Sequence, residues 1–115
     1  MKAYFMLRQN GRAPLEEYIR SINSKRELAY IHATIDKLIK YEGRLTVQYA
    51  KKIRNKIWEL RSPLGNRVFY FIDTGSEIIL LDGYTKKRDK IEKRVLERIE
   101  SLYQEYFITY NKKPY

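Results

Sequence analysis

The chain of 115 residues is long enough for one domain and too short for two independent hydrophobic cores with a linker. It contains no cysteine and one histidine, which excludes disulfides, thiolate metal sites, cysteine nucleophiles and two-histidine sites within one chain. The 24 Lys and Arg residues outnumber the 14 Asp and Glu residues, for a formal net charge of +10, and 11 tyrosines accompany them. This composition favours nucleic acid as the first partner to consider, with a basic surface that only maintains solubility as the alternative.

Hydropathy argues against a membrane protein. No apolar run approaches the roughly 20 residues that span a bilayer. The N-terminal segment turns polar and basic before the apolar core of a signal peptide is complete. We therefore expect a cytoplasmic protein without membrane association, and we expect neither a metal nor another cofactor.

The first half of the chain predicts one strand followed by two helices. Residues 1–7 are apolar and aromatic, which is typical of a strand. Helical spacing of apolar side chains begins at Pro14 and continues to about residue 23. A capping-box pattern at Ser24 then opens a second helix, which we expect to end near Gly43.

The second half predicts a meander of strands followed by a helix. The predicted strands are residues 57–61, 67–72 and 78–81. Residues 47–53 are ambiguous between a short helix and an irregular crossover. After Tyr84 the apolar spacing becomes helical again, with a stripe that runs from Ile91 to Tyr106.

This order of elements predicts an α+β fold in which the first strand pairs with the meander and the two early helices pack on one sheet face. We expect one domain over residues 1–108 and a flexible C-terminal tail over residues 109–115. The other sheet face is expected to remain open and basic, as a cradle for a nucleic-acid strand.

Basic residues concentrate in two runs that bracket the predicted strands. Residues 51–67 hold six basic side chains and one acidic side chain, and residues 86–98 hold seven and three. Because side chains alternate along a strand, Arg61 shares a face with Glu59, which we interpret as an ion-pair partner that orients it. Arg67 lies across the predicted hairpin from Arg61, so the two guanidinium groups are expected to converge in one site.

Such a cluster suits an RNA phosphate. The planar guanidinium group binds phosphate oxygens in pairs and stays charged as negative charge builds in the transition state. RNA carries its own nucleophile, the 2′-hydroxyl, so cleavage requires no metal. Charge placement alone nevertheless favours binding of a nucleic-acid backbone or an acidic partner over catalysis.

Three motifs in the strand region carry a resemblance to a known family. They are Glu59-Leu60-Arg61, Arg67-Val68-Phe69-Tyr70-Phe71 and Leu81-Asp82-Gly83-Tyr84-Thr85-Lys86-Lys87, in this order and at these spacings. On these motifs, residues 57–98 resemble the HigB/RelE-type toxins of type II toxin–antitoxin systems, in particular a phage-derived HigB-like subgroup. The resemblance implies a RelE-like fold, with two N-terminal helices on one face of a small, curved, antiparallel-rich sheet and a C-terminal helix. The subgroup usually has proline before the final helix, whereas this chain has Glu92, which leaves the helix free to begin earlier.

The resemblance also implies a function. Toxins of this type are ribosome-dependent mRNA endonucleases (mRNA interferases), which cleave translated mRNA by metal-independent attack of the 2′-hydroxyl and leave a cyclic phosphate. A cognate HigA-like helix-turn-helix antitoxin neutralises them. A non-catalytic RNA- or ribosome-binding module of the same fold is the alternative.

The predicted site combines these arguments. The predicted catalytic residues are Arg61, Arg67, Lys86 and Lys87, with the arginines on the phosphate and the lysines in proton transfer. The predicted RNA-binding residues are Lys56, Tyr84, Arg88, Lys90, Lys51 and Lys52. For Tyr84, base stacking and proton donation both stay open.

Overall fold

The computed structural model describes all 115 residues and contains three helices and six strands. The helices are α1 (Pro14–Ser21), α2 (Lys25–Lys40) and α3 (Lys93–Thr109), and the strands are β1 (Lys2–Met6), β2 (Ala50–Arg54), β3 (Ile57–Arg61), β4 (Asn66–Asp73), β5 (Glu77–Thr85) and β6 (Lys112–Pro114). The strands form one open sheet in the order β2-β3-β4-β5-β1-β6. Strand β1 runs parallel to β5, and every other neighbouring pair is antiparallel. The fold is therefore α+β, as predicted, and it is consistent with a RelE-like fold. No helix combines the length and the apolar character that crossing a membrane requires.

Helices α1 and α2 cover one face of the sheet, as the sequence predicts. Pro14 occupies the first turn of α1, and the Ser24 hydroxyl accepts a hydrogen bond from the Glu27 amide at 3.2 Å, which caps α2. The buried residues that join these helices to the sheet are Leu15, Ile31, Ile35 and Leu38 on the helices and Leu60, Val68, Tyr70, Ile78 and Leu80 on the strands. This layer forms the larger hydrophobic core.

Helix α3 covers the opposite face, so the prediction of an open basic sheet face is wrong. The apolar stripe of α3 packs against side chains that alternate with those of the first core. The buried residues of this second core are Val95, Ile99, Leu102 and Tyr106 on α3 and Met6, Ile57, Phe69, Phe71, Ile79 and Leu81 on the strands. An apolar face of this size is stable in water only under another element, and α3 supplies it. The helix begins at Lys93 with Glu92 as an extended N-cap, so the missing proline does not lengthen it.

The ambiguous segment before the meander forms an additional strand. Residues 50–54 pair antiparallel with β3, with Ala50 opposite Leu60 and Lys51 opposite Glu59. Lys51 and Lys52 are exposed because β2 lies at the edge of the sheet. Charged side chains at such an edge oppose pairing with another chain.

The prediction of a flexible C-terminal tail is also wrong. Strand β6 pairs antiparallel with β1, and the Tyr115 amide donates a hydrogen bond to the Ala3 carbonyl at 3.0 Å. The Tyr115 ring packs on Phe5, and its hydroxyl lies 2.6 Å from Nδ1 of His32. Without β6, β1 would present unpaired backbone groups at the sheet edge, so the last residues complete the sheet.

Gly83 on β5 allows α1 to approach the sheet closely. A Cβ atom at this position would lie 2.4 Å from Cδ2 of Tyr18 and 3.0 Å from the carbonyl oxygen of Arg67. The Tyr18 ring therefore takes the place of a side chain on β5. Its hydroxyl lies 3.0 Å from Oγ1 of Thr85, which ties α1 to the end of the strand.

The substitution Gly83→Ala is expected to lower the free energy of unfolding by about 1–3 kcal/mol, because the new methyl group overlaps the Tyr18 ring. Urea denaturation of the wild type and the variant measures this. In a Tyr18→Ala background the added cost is expected to shrink, since the overlapping ring is gone. An equal cost in both backgrounds would rule out the ring as its cause.

Candidate RNA-binding and cleavage site

The turn between β3 and β4 brings Arg61 and Arg67 face to face. The two residues are direct partners in the antiparallel register. The turn is closed by hydrogen bonds from the Ser62 amide to the Asn66 carbonyl at 2.9 Å and from the Gly65 amide to the Ser62 carbonyl at 3.2 Å. Gly65 has φ +94°, a conformation that favours glycine, so this residue enables the tight return. The predicted convergence of the two arginines is confirmed.

A buried carboxylate lies between the two guanidinium groups. Glu59 is 1% exposed, and its Oε1 accepts a hydrogen bond from Nε of Arg61 at 3.2 Å. Its Oε2 lies 3.9 Å from Nε of Arg67, which is an ionic contact longer than a hydrogen bond. Glu59 therefore offsets the repulsion between two like charges on neighbouring strands and orients Arg61, as the sequence predicts.

Hydrogen bonds to backbone carbonyl groups also hold the two guanidinium groups in place. Nη1 of Arg67 donates to the carbonyls of Ser62 and Asn66 at 3.3 and 3.1 Å. Nη1 of Arg61 donates to the Val47 carbonyl at 3.4 Å. The side chains retain 15% exposure at Arg67 and 31% at Arg61, so each guanidinium is held in place while part of it faces solvent. An ordered, partly exposed guanidinium binds an anion at a low cost in side-chain entropy.

Tyr84 adds a phenol to the same cluster. It pairs with Arg67 in the register between β4 and β5, and its ring stacks on Phe69 with centroids 5.8 Å apart. Burial raises the pKa of the Tyr84 phenol above its ordinary value, the Glu59 carboxylate raises it further, and Arg67 opposes both effects. The phenol is therefore neutral at physiological pH and able to donate a proton.

Three polar atoms in this cluster are buried and have no hydrogen-bond partner: Oε2 of Glu59, Nε of Arg67 and the hydroxyl of Tyr84. Buried polar groups without partners are rare in folded proteins. Here an acceptor, a donor and a hydroxyl, which can act as either, belong to three side chains within one cluster. Polar side chains with unfilled hydrogen-bonding capacity distinguish this cluster from the apolar core beside it.

Two adjoining cavities open above the cluster and share Lys86 and Asp89. The first, of about 350 Å³, is lined by Arg67, Lys86, Lys87, Arg88 and Asp89. The second, of about 290 Å³, is lined by Lys51, Ile53, Glu59, Arg61, Lys86, Asp89, Lys90, Ile91 and Leu96. The Lys86 amide donates to the Gly65 carbonyl at 2.9 Å, so the loop after β5 is tied to the turn that carries the arginines.

The structure thus brings most of the predicted site residues together. Those that line the cavities are Arg61, Arg67, Lys86, Lys87, Arg88, Lys90 and Lys51, and Tyr84 belongs to the cluster beneath them. Lys52 and Lys56 line neither cavity. Lys52 lies opposite Trp58 in the register, on the sheet face that α1 and α2 cover, and Lys56 is separated from Arg61 by the length of β3, about 17 Å. Both therefore lie outside the two cavities, and their contact with RNA stays a prediction.

Sequence reasoning missed Asn66, which anchors the turn from behind. This residue is fully buried, and its Nδ2 donates to the Tyr18 hydroxyl at 2.9 Å and to Oε1 of Glu27 at 3.1 Å. In the sequence, Asn66 has the appearance of an ordinary turn residue. Since its partners lie 48 and 39 residues away, no local pattern could reveal its role.

The substitution Glu59→Gln tests the charge balance of the cluster. It is expected to lower the pKa of Tyr84 towards its ordinary value, because the carboxylate that raises it is gone. It is also expected to reduce the free energy of unfolding by about 1–3 kcal/mol, because Arg61 loses a buried charged partner. A pH titration of the Tyr84 Cζ chemical shift, assigned with Tyr84→Phe, and urea denaturation measure the two effects.

Glu100→Gln is the matched control, because it removes a carboxylate that pairs with the half-exposed Arg54 outside the cluster. It should leave the Tyr84 titration unchanged and cost less than about 1 kcal/mol. A Tyr84 pKa that does not move in Glu59→Gln would contradict the electrostatic coupling.

Comparison with known proteins relates this site to a family. Residues 17–104, about three quarters of the chain, match the family described as Phage derived protein Gp49-like (DUF891). The match spans β2 to β5 and therefore includes both arginines, Glu59 and the cavity residues. No curated protein matches the chain. The chain therefore belongs to the phage-derived Gp49-like family, which is of RelE/HigB-like toxin type.

Proposed function

We propose that this protein is a toxin that cleaves translated mRNA on the ribosome by metal-independent attack of the 2′-hydroxyl. The observation that carries the proposal is the pair of guanidinium groups held on one buried carboxylate beneath two cavities rich in lysine and arginine. The family is associated with toxin–antitoxin toxins, which supports a toxin role. We also propose that the chain belongs to the HigB-like subgroup of these toxins.

In the proposed reaction the 2′-oxygen of one nucleotide attacks the adjacent phosphorus atom. The hydroxyl proton passes to a base, the bond from phosphorus to the 5′-oxygen breaks, and the 5′-oxygen receives a proton. The products are a 2′,3′-cyclic phosphate and a 5′-hydroxyl. Negative charge accumulates on the non-bridging oxygens in the transition state, so cations that are already in place accelerate the reaction.

The roles follow from the exposure and position of each group. Arg67 and Arg61 bind the non-bridging oxygens, because both are oriented before RNA arrives and both keep exposed donors. Lys86, which lines both cavities, is placed to transfer a proton or to bind a neighbouring phosphate, with Lys87 beside it. For Tyr84 both predicted roles, base stacking and proton donation, stay open; its hydroxyl is buried beneath the cavities, so either role requires that bound RNA expose it.

The substitution Arg67→Ala is expected to abolish growth arrest and to lower the rate of mRNA cleavage on the order of 100-fold or more. Primer extension on a cellular transcript after induction measures the cleavage, with and without an inhibitor of translation initiation. Arg20→Ala is the control, because it removes the same charge from an exposed position that pairs only with Glu16 on its own helix.

Wild-type cleavage by a folded Arg67→Ala protein would refute the assignment of Arg67. A wild-type protein that sediments with ribosomes but produces no cleavage would instead identify a non-catalytic ribosome-binding module. Circular dichroism and a thermal melt establish that the variant is folded.

We further propose that a HigA-like helix-turn-helix antitoxin neutralises the protein. The toxin type of the family and the net charge of +10 support a partner that covers the basic cavities. We expect a helix-turn-helix reading frame beside this gene; co-expression with its product is expected to restore growth, and the two proteins are expected to co-elute in size-exclusion chromatography. Growth arrest that persists during co-expression would contradict this pairing.

A further inference from the structure

A separate pocket lies in the segment that connects α2 to β2. It has a volume of about 270 Å³ and is lined by Lys37, Tyr41, Arg44, Leu45, Thr46 and Tyr49. Two of these residues carry aromatic rings and two carry positive charges. None of these residues belongs to the two cavities above the arginine pair.

The rings and cations of this pocket are arranged for a flat, anionic ligand. Tyr41 is 50% exposed as a residue, so half of it can contact a ligand from solvent. Nζ of Lys37 lies 4.2 Å from the centroid of the Tyr49 ring, and Nζ of Lys40 lies 5.7 Å from that of Tyr41. Neither these lysines nor Arg44 forms a salt bridge.

The absence of acidic partners distinguishes this pocket from a cavity of about 320 Å³ at the start of α1, which three arginines line. There Arg8, Arg12 and Arg98 each pair with a carboxylate, which neutralises much of their charge. No carboxylate offsets the positive charges of Lys37, Lys40 and Arg44 around Tyr41. They therefore attract a phosphate more strongly.

The backbone of the same segment contacts the proposed cleavage site. The Val47 carbonyl accepts from Nη1 of Arg61 at 3.4 Å, and the Tyr49 carbonyl accepts from the Arg61 amide at 2.7 Å. Val47 itself is 81% exposed. Thr46, which lines the pocket, is the chain neighbour of Val47, so one wall of the pocket lies next to the Arg61 guanidinium group although Lys37 and Tyr41 belong to the α2 layer.

We infer that this pocket is a subsite for single-stranded RNA, in which Tyr41 stacks on a base that flanks the cleaved linkage while Lys37 and Arg44 bind its phosphates. The inference rests on the proposed function and adds a base-contacting subsite to it. Exposed aromatic rings interleaved with unpaired cations are the arrangement that binds single-stranded nucleic acid, because every base offers a face for stacking. An acidic protein segment would use the cations but gain little from the open ring of Tyr41.

The test uses the full-length protein and a fluorescent 2′-O-methyl RNA oligonucleotide, which the 2′-hydroxyl mechanism cannot cleave. Tyr41→Ala is expected to weaken binding about 5- to 150-fold, and Tyr41→Phe is expected to bind like the wild type, because it keeps the ring. Lys37→Gln is expected to reduce the slope of log affinity against log salt by about 0.7. Tyr30→Ala is the matched control, since Tyr30 is an exposed tyrosine within α2, outside the pocket, with Arg26 over its ring.

A second readout reports stacking directly. The fluorescence of a 2-aminopurine base in the oligonucleotide is expected to be quenched by the wild type and by Tyr41→Phe, and to recover in Tyr41→Ala. Unchanged RNA affinity in Tyr41→Ala, or no Tyr41-dependent quenching by the wild type, overturns the inference. So does a Tyr41→Ala protein that binds RNA normally but has lost binding to an acidic peptide, which identifies a protein-docking surface.

The two variants distinguish a failure of the proposed cleavage site from a failure of the proposed subsite. Loss of cleavage in Arg67→Ala with normal RNA binding in Tyr41→Ala supports the cleavage site and overturns the subsite. Retained cleavage in Arg67→Ala, with weakened binding in Tyr41→Ala, overturns the catalytic assignment and supports RNA binding at the pocket.

Discussion

The contact between Glu59 and two arginines is the constraint on which the site depends. A buried carboxylate without a partner costs several kcal/mol, and two arginines opposite each other on neighbouring strands repel. Placing the carboxylate between Arg61 and Arg67 offsets both costs. The same contact holds the guanidinium groups in position, which is what binding and transition-state stabilisation of a phosphate require. Glu59 therefore contributes both to the stability of the hairpin end and to the organisation of the site.

The two layers of helices determine where such a site can form. Helices α1 and α2 cover one sheet face and α3 covers the other, so the middle of the sheet is closed to solvent on both sides. The ends of β3, β4 and β5 near Gly65 lie beyond the apolar stripe of α3, and polar side chains replace apolar ones there. The loop from Lys86 to Ile91, between the sheet and the start of α3, supplies the cations that line the cavities. The proposed RNA contact is therefore the end of the sheet that α3 leaves uncovered.

Local patterns in the sequence predicted the elements well and their packing only in part. The cap at Ser24 and the alternation of residues 57–61 depend on neighbouring residues, and the structure confirms both. The open sheet face was a wrong prediction, because the stripe of α3 does not indicate which surface it will cover. The C-terminal strand was missed because two lysines and a proline carry no strand pattern until β1 is beside them.

The sequence by itself determined the α+β class, the basic charge and the pairing of Arg61 with Arg67, because strand periodicity and a short turn fix which residues lie opposite each other. Only the tertiary structure decided which cations join that pair. Lys86 and Lys51 reach the cavities and Lys52 and Lys56 do not, and this depends on register, on strand length and on the course of the loop after β5. Contacts between residues far apart in the chain, such as those of Asn66, leave no local signal, since each partner is compatible with many other surroundings.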